Sequence, residues 1–261
     1  MSYSEAAPGA ALAAFVERVC FSSDERDAKP EPVRVVPDGN VDVLFSIGRS
    51  GACAAHVFGV KTRPLWAETE DPRENLLLRL RPGVVARLFG VAASGLTDQV
   101  IELSELAGGA ARGFCDEIAE ARGDGARLAA VERTFGAWAA RAAREAGADD
   151  ALLHRAVSDL RRSSGALPIA ALTRSLGVGA RRLERVFQAR LGVTPKAYAR
   201  LLRFFAAYRA LAAGRAPLEA ALAHGYFDQA HLYRDFARFA GAPPRRIFPS
   251  RAIGGPASLR A

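Results

Sequence analysis

Apolar residues alternate with polar ones in the first third of the chain and take up helical spacing after it. Residues 33–48 contain the turn signal Pro37-Asp38-Gly39, after which four apolar residues share one face: Val41, Val43, Phe45 and Ile47. Runs 56–64 and 76–83 predict two further strands, the second with leucines on one face and Arg79 and Arg81 on the other. The pattern predicts a β-rich N-terminal domain, folded as a small barrel or sandwich.

From Val84 onward the apolar period is that of helices, and the chain divides near residue 148. Gly147 ends one helical run, and Asp149-Asp150 supplies the cap of the next. We therefore predict an α+β chain in three parts. These are a β-rich sensory or dimerisation domain that ends in helices (1–148), an all-α domain (149–250) and a disordered tail (251–261).

The all-α part contains one helix–turn–helix pattern twice, at 168–192 and 217–241. Each copy opens on proline, turns at Gly177 or Gly225, and continues into a second helix with basic residues. A long helix that begins at Thr194-Pro195 joins the copies. A connector of roughly 19 residues spans about 28 Å, close to the roughly 34 Å between successive major-groove segments. The pattern therefore favours one chain that reads two adjacent groove segments.

Charge separates the same two parts of the chain. Residues 1–148 hold 17 basic and 21 acidic residues, a net charge of −4, whereas 149–261 hold 19 and 7, a net charge of +12. Arginine supplies 33 of the 36 basic residues, but a compositional bias toward arginine would act on both parts. The asymmetry therefore indicates that the second part binds a polyanion, with double-stranded DNA as the partner.

The second helix of each copy pairs an apolar face with a polar one. The polar faces hold Arg181, Arg182, Glu184 and Arg185 in the first copy, and Gln229, Ala230, His231, Tyr233 and Arg234 in the second. In a major groove arginine pairs with guanine, glutamine pairs with adenine, and glutamate accepts from cytosine. Other arginines are candidates for phosphate contacts, which add affinity but little specificity: Arg182, Arg200, Arg203, Arg209, Arg215, Arg245 and Arg246.

Two segments, GVTPKAYARLLRF and GYFDQAHLYRDFARFAGAPPRRIF, closely resemble the C-terminal DNA-binding domain of AraC/XylS-type bacterial transcription regulators, over residues 150–249. The resemblance implies base contacts from the early part of each second helix: Arg181, Glu184, Arg185, Gln229, Ala230, His231 and Arg234. The chain departs from the family at Thr173, Gly179 and Ala230, where alanine, serine and serine are common. RNA polymerase and a second copy of the chain are further candidate partners.

The segments VVPDGNVDVLFSIG, GVKTRP and LRLRPGVVARLFGV resemble the β-rich effector-type domain fused to some regulators of that family. This resemblance implies a sensory or dimerisation role and a small-molecule effector. Arg63, Arg79 and Arg81 could line a pocket for an anionic effector, and ion pairs on the strand faces are the alternative.

Other functional classes find no support in the sequence. No run of about 18 apolar residues is present, and the start MSYSEAAPGA lacks the features of a secretory signal, so we expect a cytoplasmic protein without a membrane partner. Cys20, Cys53 and Cys115 are spaced for neither a metal site nor a disulfide framework; free thiols are expected, and a redox pair is unsupported. Enzyme motifs are missing, so we expect no catalysis, cofactor or metal.

The sequence therefore predicts a sequence-specific DNA-binding transcription regulator controlled by an effector. A non-enzymatic adapter protein that retains the same fold is the alternative.

Overall fold

A computed structural model describes residues 2–23, 33–67 and 72–248, and a sheet-rich domain forms its N-terminal part. The strands are β1 Ser2–Ala6, β2 Val16–Ser23, β3 Val33–Val35, β4 Val41–Gly48, β5 Cys53–Phe58, β6 Leu65–Ala67, β7 Pro72–Leu80 and β8 Val100–Glu102. The helices of the same part are α1 Val85–Phe89, α2 Leu103–Ala107, α3 Gly109–Glu120 and α4 Gly123–Arg144, with a short 3-10 helix at Ala93–Leu96.

Six strands form one antiparallel sheet in the order β1-β2-β7-β4-β5-β8, and β3 pairs with β6 separately. The predicted alternation holds in β4, where Phe45 is buried and lies opposite Leu76 of β7. The strand predicted at 56–64 ends at Phe58 instead. Beyond it Thr62 N–H donates to Asp98 Oδ1 over 2.7 Å, so the chain bonds to a loop there rather than to a strand.

Strands β1 and β2 were not predicted, because neither shows a clean alternation. In β2 the residues Val19, Cys20 and Phe21 are buried in succession, and the register against β7 shifts between Val16 and Arg18. Helices α3 and α4 cover the sheet through aromatic contacts. The Phe114 ring lies 4.8 Å from that of Phe45 and 5.6 Å from that of Trp138, centroid to centroid.

The C-terminal part is helical. Its helices are α5 Ala148–Arg162, α6 Ile169–Leu176, α7 Ala180–Leu191, α8 Pro195–Ala212, α9 Pro217–Ala223, α10 Gln229–Phe239 and α11 Pro244–Ile247. A β-rich domain followed by helices and an all-α C-terminal part is the predicted fold class, which is confirmed. The helix break at 145–147 is also seen, whereas the assignment of separate domains at residue 148 stays a prediction. The tail predicted at 251–261 lies outside the described residues.

Among the helices of these described segments, none combines the length and apolar character that crossing a bilayer requires.

Candidate nucleic-acid interface

The first helix–turn–helix unit consists of α6, a turn at Gly177 and α7. Gly177 adopts a left-handed conformation with φ of 67°, which costs a glycine little and ends α6 sharply. Helix α7 is seated by four buried residues at helical spacing: Leu183, Val186, Phe187 and Leu191. Because these residues occupy one face, the polar residues of α7 are left on the opposite, exposed face.

The second unit repeats the arrangement with α9, a turn at Gly225 and α10. Gly225 has φ of 72°, and the carboxylate of Asp228 accepts from His231 N–H over 2.6 Å, which caps α10. Leu232, Phe236 and Phe239 are buried and seat this helix. The connector α8 has 18 residues, so it extends for about 27 Å.

The predicted base-contacting residues of both units lie on the polar faces of α7 and α10. Six are exposed and His231 is half-buried: Arg181, Glu184, Arg185, Gln229, Ala230, His231 and Arg234. Gln229 Nε2 donates to the Tyr233 hydroxyl over 2.6 Å, which orients the amide on the helix surface. The His231 ring contacts the ring of Tyr226, with centroids 5.0 Å apart, so its position is also restricted. Each of the two helices thus exposes its own set of these side chains, and their base contacts stay predictions.

Two of the arginines predicted to contact phosphate are only partly exposed and contact other side chains of the domain. Arg200 Nε donates to Asp235 Oδ1 over 2.8 Å, and Asp235 is fully buried. The Arg203 guanidinium carbon lies 4.8 Å from the centroid of the Tyr226 ring. The remaining candidates are exposed: Arg182, Arg209, Arg215, Arg245 and Arg246. Of these, Arg182 lies 3.3 Å from Asp149 in an exposed ion pair.

The buried carboxylate of Asp235 joins the second unit to the connector. One of its oxygens accepts from Arg200 of α8, and the other accepts from the Tyr226 hydroxyl over 3.0 Å. Burial raises the pKa of Tyr226, so this hydroxyl stays protonated and donates at neutral pH. Arg200 is therefore part of this internal cluster, and its phosphate contact stays a prediction.

The three arginines predicted for an effector do not share a pocket. Arg63 is exposed and lines a cavity of about 250 Å³ together with Lys61, Trp66 and Asp98. Arg79 forms ion pairs with Asp38 and Asp42 at 2.8 and 3.0 Å, so for this residue the structure shows the alternative, an ion pair on the strand face. Arg81 donates from Nε to the carbonyl of Ala13.

One arginine of α5 connects the two parts of the chain, and sequence reasoning missed it. Arg161 donates to Glu17 of β2 over 2.9 Å and to Asn40 Oδ1 over 2.6 Å. Its Nε donates to the hydroxyl of buried Tyr198 in the first turn of α8, over 3.2 Å. A second link is the hydrogen bond from the Thr97 hydroxyl to the Gly192 carbonyl at the end of α7, 2.9 Å long.

A further residue missed from the sequence is Phe227, in the turn directly before the cap of α10. Phe227 is 87% exposed, whereas the neighbouring Tyr226 is buried. Phe227 stands out because a large apolar side chain is exposed beside the polar start of α10. Only the folded structure shows this exposure, so the sequence could not indicate it.

Two family models match separate parts of this chain. One described as a helix-turn-helix domain matches residues 172–249, and one described as a domain of unknown function matches residues 4–102. Search of curated protein sequences gives no match.

Solved structures of ToxT from Vibrio cholerae are similar over most of the chain. One has 8% identity and a TM-score of 0.47 and covers 95% of this chain and 98% of that chain. An apo variant has 10% identity and a TM-score of 0.44, with 88% and 97% covered. ToxT with an unsaturated fatty acid bound has 10% identity and a TM-score of 0.40, with 95% of each chain covered. Similarity this distant assigns neither a ligand nor a residue role to this chain.

The duplicated units and the family match define the C-terminal part as a helix-turn-helix DNA-binding domain. The domain is of the AraC type and is accompanied by an N-terminal part that matches the second family model, which supports a role in DNA binding and transcription regulation.

Proposed function

We propose that this regulator reads two successive major-groove segments of double-stranded DNA, one with α7 and one with α10. The observation that supports this most directly is the pair of exposed polar faces on the second helices of two matched units. Arg181 and Arg185 supply forked donors for guanine in the first segment, and Gln229 and Arg234 supply adenine and guanine contacts in the second. A connector about 27 Å long holds the two helices on one chain.

The N-terminal domain is proposed to control this binding in response to a small anionic molecule. The cavity beside Trp66 is lined by two basic residues, Lys61 and Arg63, against the one acidic residue Asp98, and Arg161 joins the turn at Asn40 to the connector. A change in the sheet domain therefore has a direct mechanical path to α8. The protein is proposed to work in the cytoplasm, where bacterial DNA lies, and without catalysis.

The DNA-binding proposal is tested with a site selected from random DNA by the full-length protein. Fluorescence anisotropy then measures the affinity of Arg181→Ala and Arg234→Ala for that site and for scrambled DNA. Each variant should lose about 1–3 kcal/mol of specific binding, roughly 5- to 150-fold, and relax the base preference in one segment only. The two relaxed segments should lie one helical turn, about 10 base pairs, apart.

Arg162→Ala is the matched control, because Arg162 is an arginine of the same basic domain whose side chain is 73% exposed on α5. It should bind the selected site as wild type does. Failure to select any sequence at moderate salt would refute the proposed function. Wild-type affinity in both recognition-helix variants would instead show that the base contacts are assigned to the wrong residues, and an adapter protein that retains the fold is favoured only if no sequence is selected.

Effector binding is tested separately by thermal shift of the full-length protein against small carboxylates and phosphates. A ligand at 100 times its Kd should add about 2.7 kcal/mol of stability. Arg63→Gln should abolish that shift, whereas Arg79→Gln should not, because Arg79 is engaged by Asp38 and Asp42. An unchanged shift in Arg63→Gln would place the effector elsewhere.

A further inference from the structure

The two recognition helices, α7 and α10, are followed by equivalent glycines, and both glycines lie against the N-terminal part. Gly192 is the last residue of the first helix–turn–helix copy, and Gly241 is the last residue of the second. Gly192 follows α7 directly with φ of 78°, and Gly241 lies two residues beyond α10 with φ of 72°. A glycine with positive φ turns the chain away from the helix and brings no side chain to the contact.

The end of α7 is bound to the loop that follows the short 3-10 helix. The Thr97 hydroxyl donates to the Gly192 carbonyl over 2.9 Å. The backbones approach so closely that a Cβ at Gly192 would overlap the Thr97 hydroxyl and lie 2.5 Å from the Ala93 carbonyl oxygen. This contact therefore requires glycine, and it fixes the end of α7 against residues 93–97.

The end of α10 lies against the loop that follows β5. A Cβ at Gly241 would lie 3.2 Å from Pro64 Cγ, which is closer than the optimal separation of two carbon atoms. The preceding residues Phe239 and Ala240 are buried, so this end of the helix is anchored in the core. A side chain larger than that of alanine at position 241 would therefore push Pro64 and the end of α10 apart.

The two contact points belong to one piece of the N-terminal part, because hydrogen bonds join residues 59–62 to residues 97–99. The Asp98 carboxylate accepts from the Thr62 N–H over 2.7 Å and from the Thr62 hydroxyl over 2.6 Å. In the backbone, Asp98 N–H donates to the Val60 carbonyl over 3.0 Å. Both contact points lie within two residues of these bonds, so the distance between them is fixed.

We propose that residues 59–64 and 93–99 form a clamp that fixes the separation of the two recognition helices, with Thr97 and Pro64 as its positioning residues. The connector α8 sets the distance between the units along its own axis, whereas the clamp holds the C-terminal ends of α7 and α10 to a common body. The clamp rests on the proposed function in one respect, since the separation matters for recognition only if both helices read DNA.

Two substitutions wedge the clamp open, one at each contact. Gly192→Asn and Gly241→Asn are chosen because asparagine tolerates a left-handed backbone better than most residues. Gly123→Asn is the matched control, since Gly123 has φ of 77° and no described residue lies within 4 Å of a Cβ there. Thr97→Val removes only the hydroxyl that bonds to Gly192, and it tests the same contact should Gly192→Asn fail to fold.

Pulsed EPR of the full-length protein measures the separation without DNA. Spin labels on p-acetylphenylalanine at the exposed positions Gln188 of α7 and Ala237 of α10 avoid the free cysteines of the chain. Wild type and Gly123→Asn should give the same narrow distribution of distances, and the three clamp variants should broaden or shift it. The same distribution in all five proteins would overturn the clamp, whatever the protein does with DNA.

A second measurement inserts one base pair between the two segments of a DNA site selected by the full-length protein. The insertion moves one segment by about 3.4 Å and rotates it by about 34°. Wild type and Gly123→Asn should lose at least about fivefold in affinity, as for one lost base contact, and the clamp variants should lose a smaller factor.

The two measurements separate the clamp from the proposed function. Equal losses of affinity in wild type and in all clamp variants would overturn the clamp even where the EPR distances change. If no DNA site is selected, the proposed function fails, and the EPR distances alone decide whether the clamp exists.

Discussion

Replacement of Asp235 by asparagine should destabilise the second helix–turn–helix unit far more than replacement of an exposed acidic residue in the same domain. Asp235 is fully buried and accepts hydrogen bonds from Arg200 and from the Tyr226 hydroxyl. Asparagine has the same size, so no cavity forms. It leaves the Arg200 charge without a counterion, however, and its amide NH₂ group faces the donors of Arg200 or Tyr226 in place of an acceptor oxygen. Breaking a buried pair in this way costs about 3–5 kcal/mol.

The lower end of that range, about 3 kcal/mol, is expected here, because the Arg200 side chain is 36% exposed and keeps some contact with water. Asp149→Asn is the matched control. Asp149 pairs with Arg182 at 3.3 Å, and the two side chains are 38% and 50% exposed, so the change should cost at most about 1 kcal/mol.

Urea unfolding of the full-length protein gives the global free energy, and hydrogen exchange of the α10 amides gives the local one. A cycle of Arg200→Met, Asp235→Leu and the double variant isolates the coupling, because the double variant removes both charges and should recover part of the loss. A cost for Asp235→Asn within 1 kcal/mol of the Asp149→Asn cost would refute the view that this ion pair holds the unit together.

Three further changes have expected outcomes. Gly39→Ala should lower Tm more than Gly51→Ala, because both have φ near 80° but only a Cβ at Gly39 meets the Tyr198 ring, 3.0 Å away; equal shifts would contradict this contact. Burial lowers the pKa of Lys61 to about 8, so the folded state loses this proton at a lower pH than the unfolded state does. Between about pH 8 and 10.5 the stability of wild type should therefore rise relative to that of Lys61→Met, by up to about 3 kcal/mol in unfolding experiments. A stability difference that does not change with pH would refute this. Deoxyuridine in place of a thymine beside α10 removes one methyl group, which is worth about 0.8 kcal/mol if Phe227 contacts it. The DNA affinity of wild type should then fall about fourfold, whereas that of Phe227→Ala should not change. An equal loss of affinity in both proteins would show that Phe227 does not contact the DNA.

The features predicted correctly from the sequence are turns and helix caps, which depend on the local backbone conformation. Gly177 and Gly225 take positive φ where the turns were expected. Thr194 caps α8 through its side chain, at 3.1 Å, where the long helix was expected to begin. Such features depend on a few neighbouring residues, so a short window of sequence contains the whole physical cause.

The features that were missed depend on partners far away in the chain. The partner of Arg200 is 35 residues distant, and that of Arg161 in β2 is 144 residues distant. Whether an arginine on a helix faces DNA or a buried carboxylate is decided by how helices pack, and the helical period is the same in both cases.

The two units are attached to the rest of the molecule in different ways. The second is held to α8 by the buried Asp235 cluster, within the C-terminal part. The first unit and the start of α8 also contact the N-terminal part, through Gly192 at the end of α7 and Tyr198 at the base of the connector. A displacement of the turn at Gly39 would therefore act on α7 and on the base of α8 before it reached α10. The proposed control by the N-terminal domain should therefore change the position of α7 relative to α10, and with it the spacing at which the two DNA segments are read.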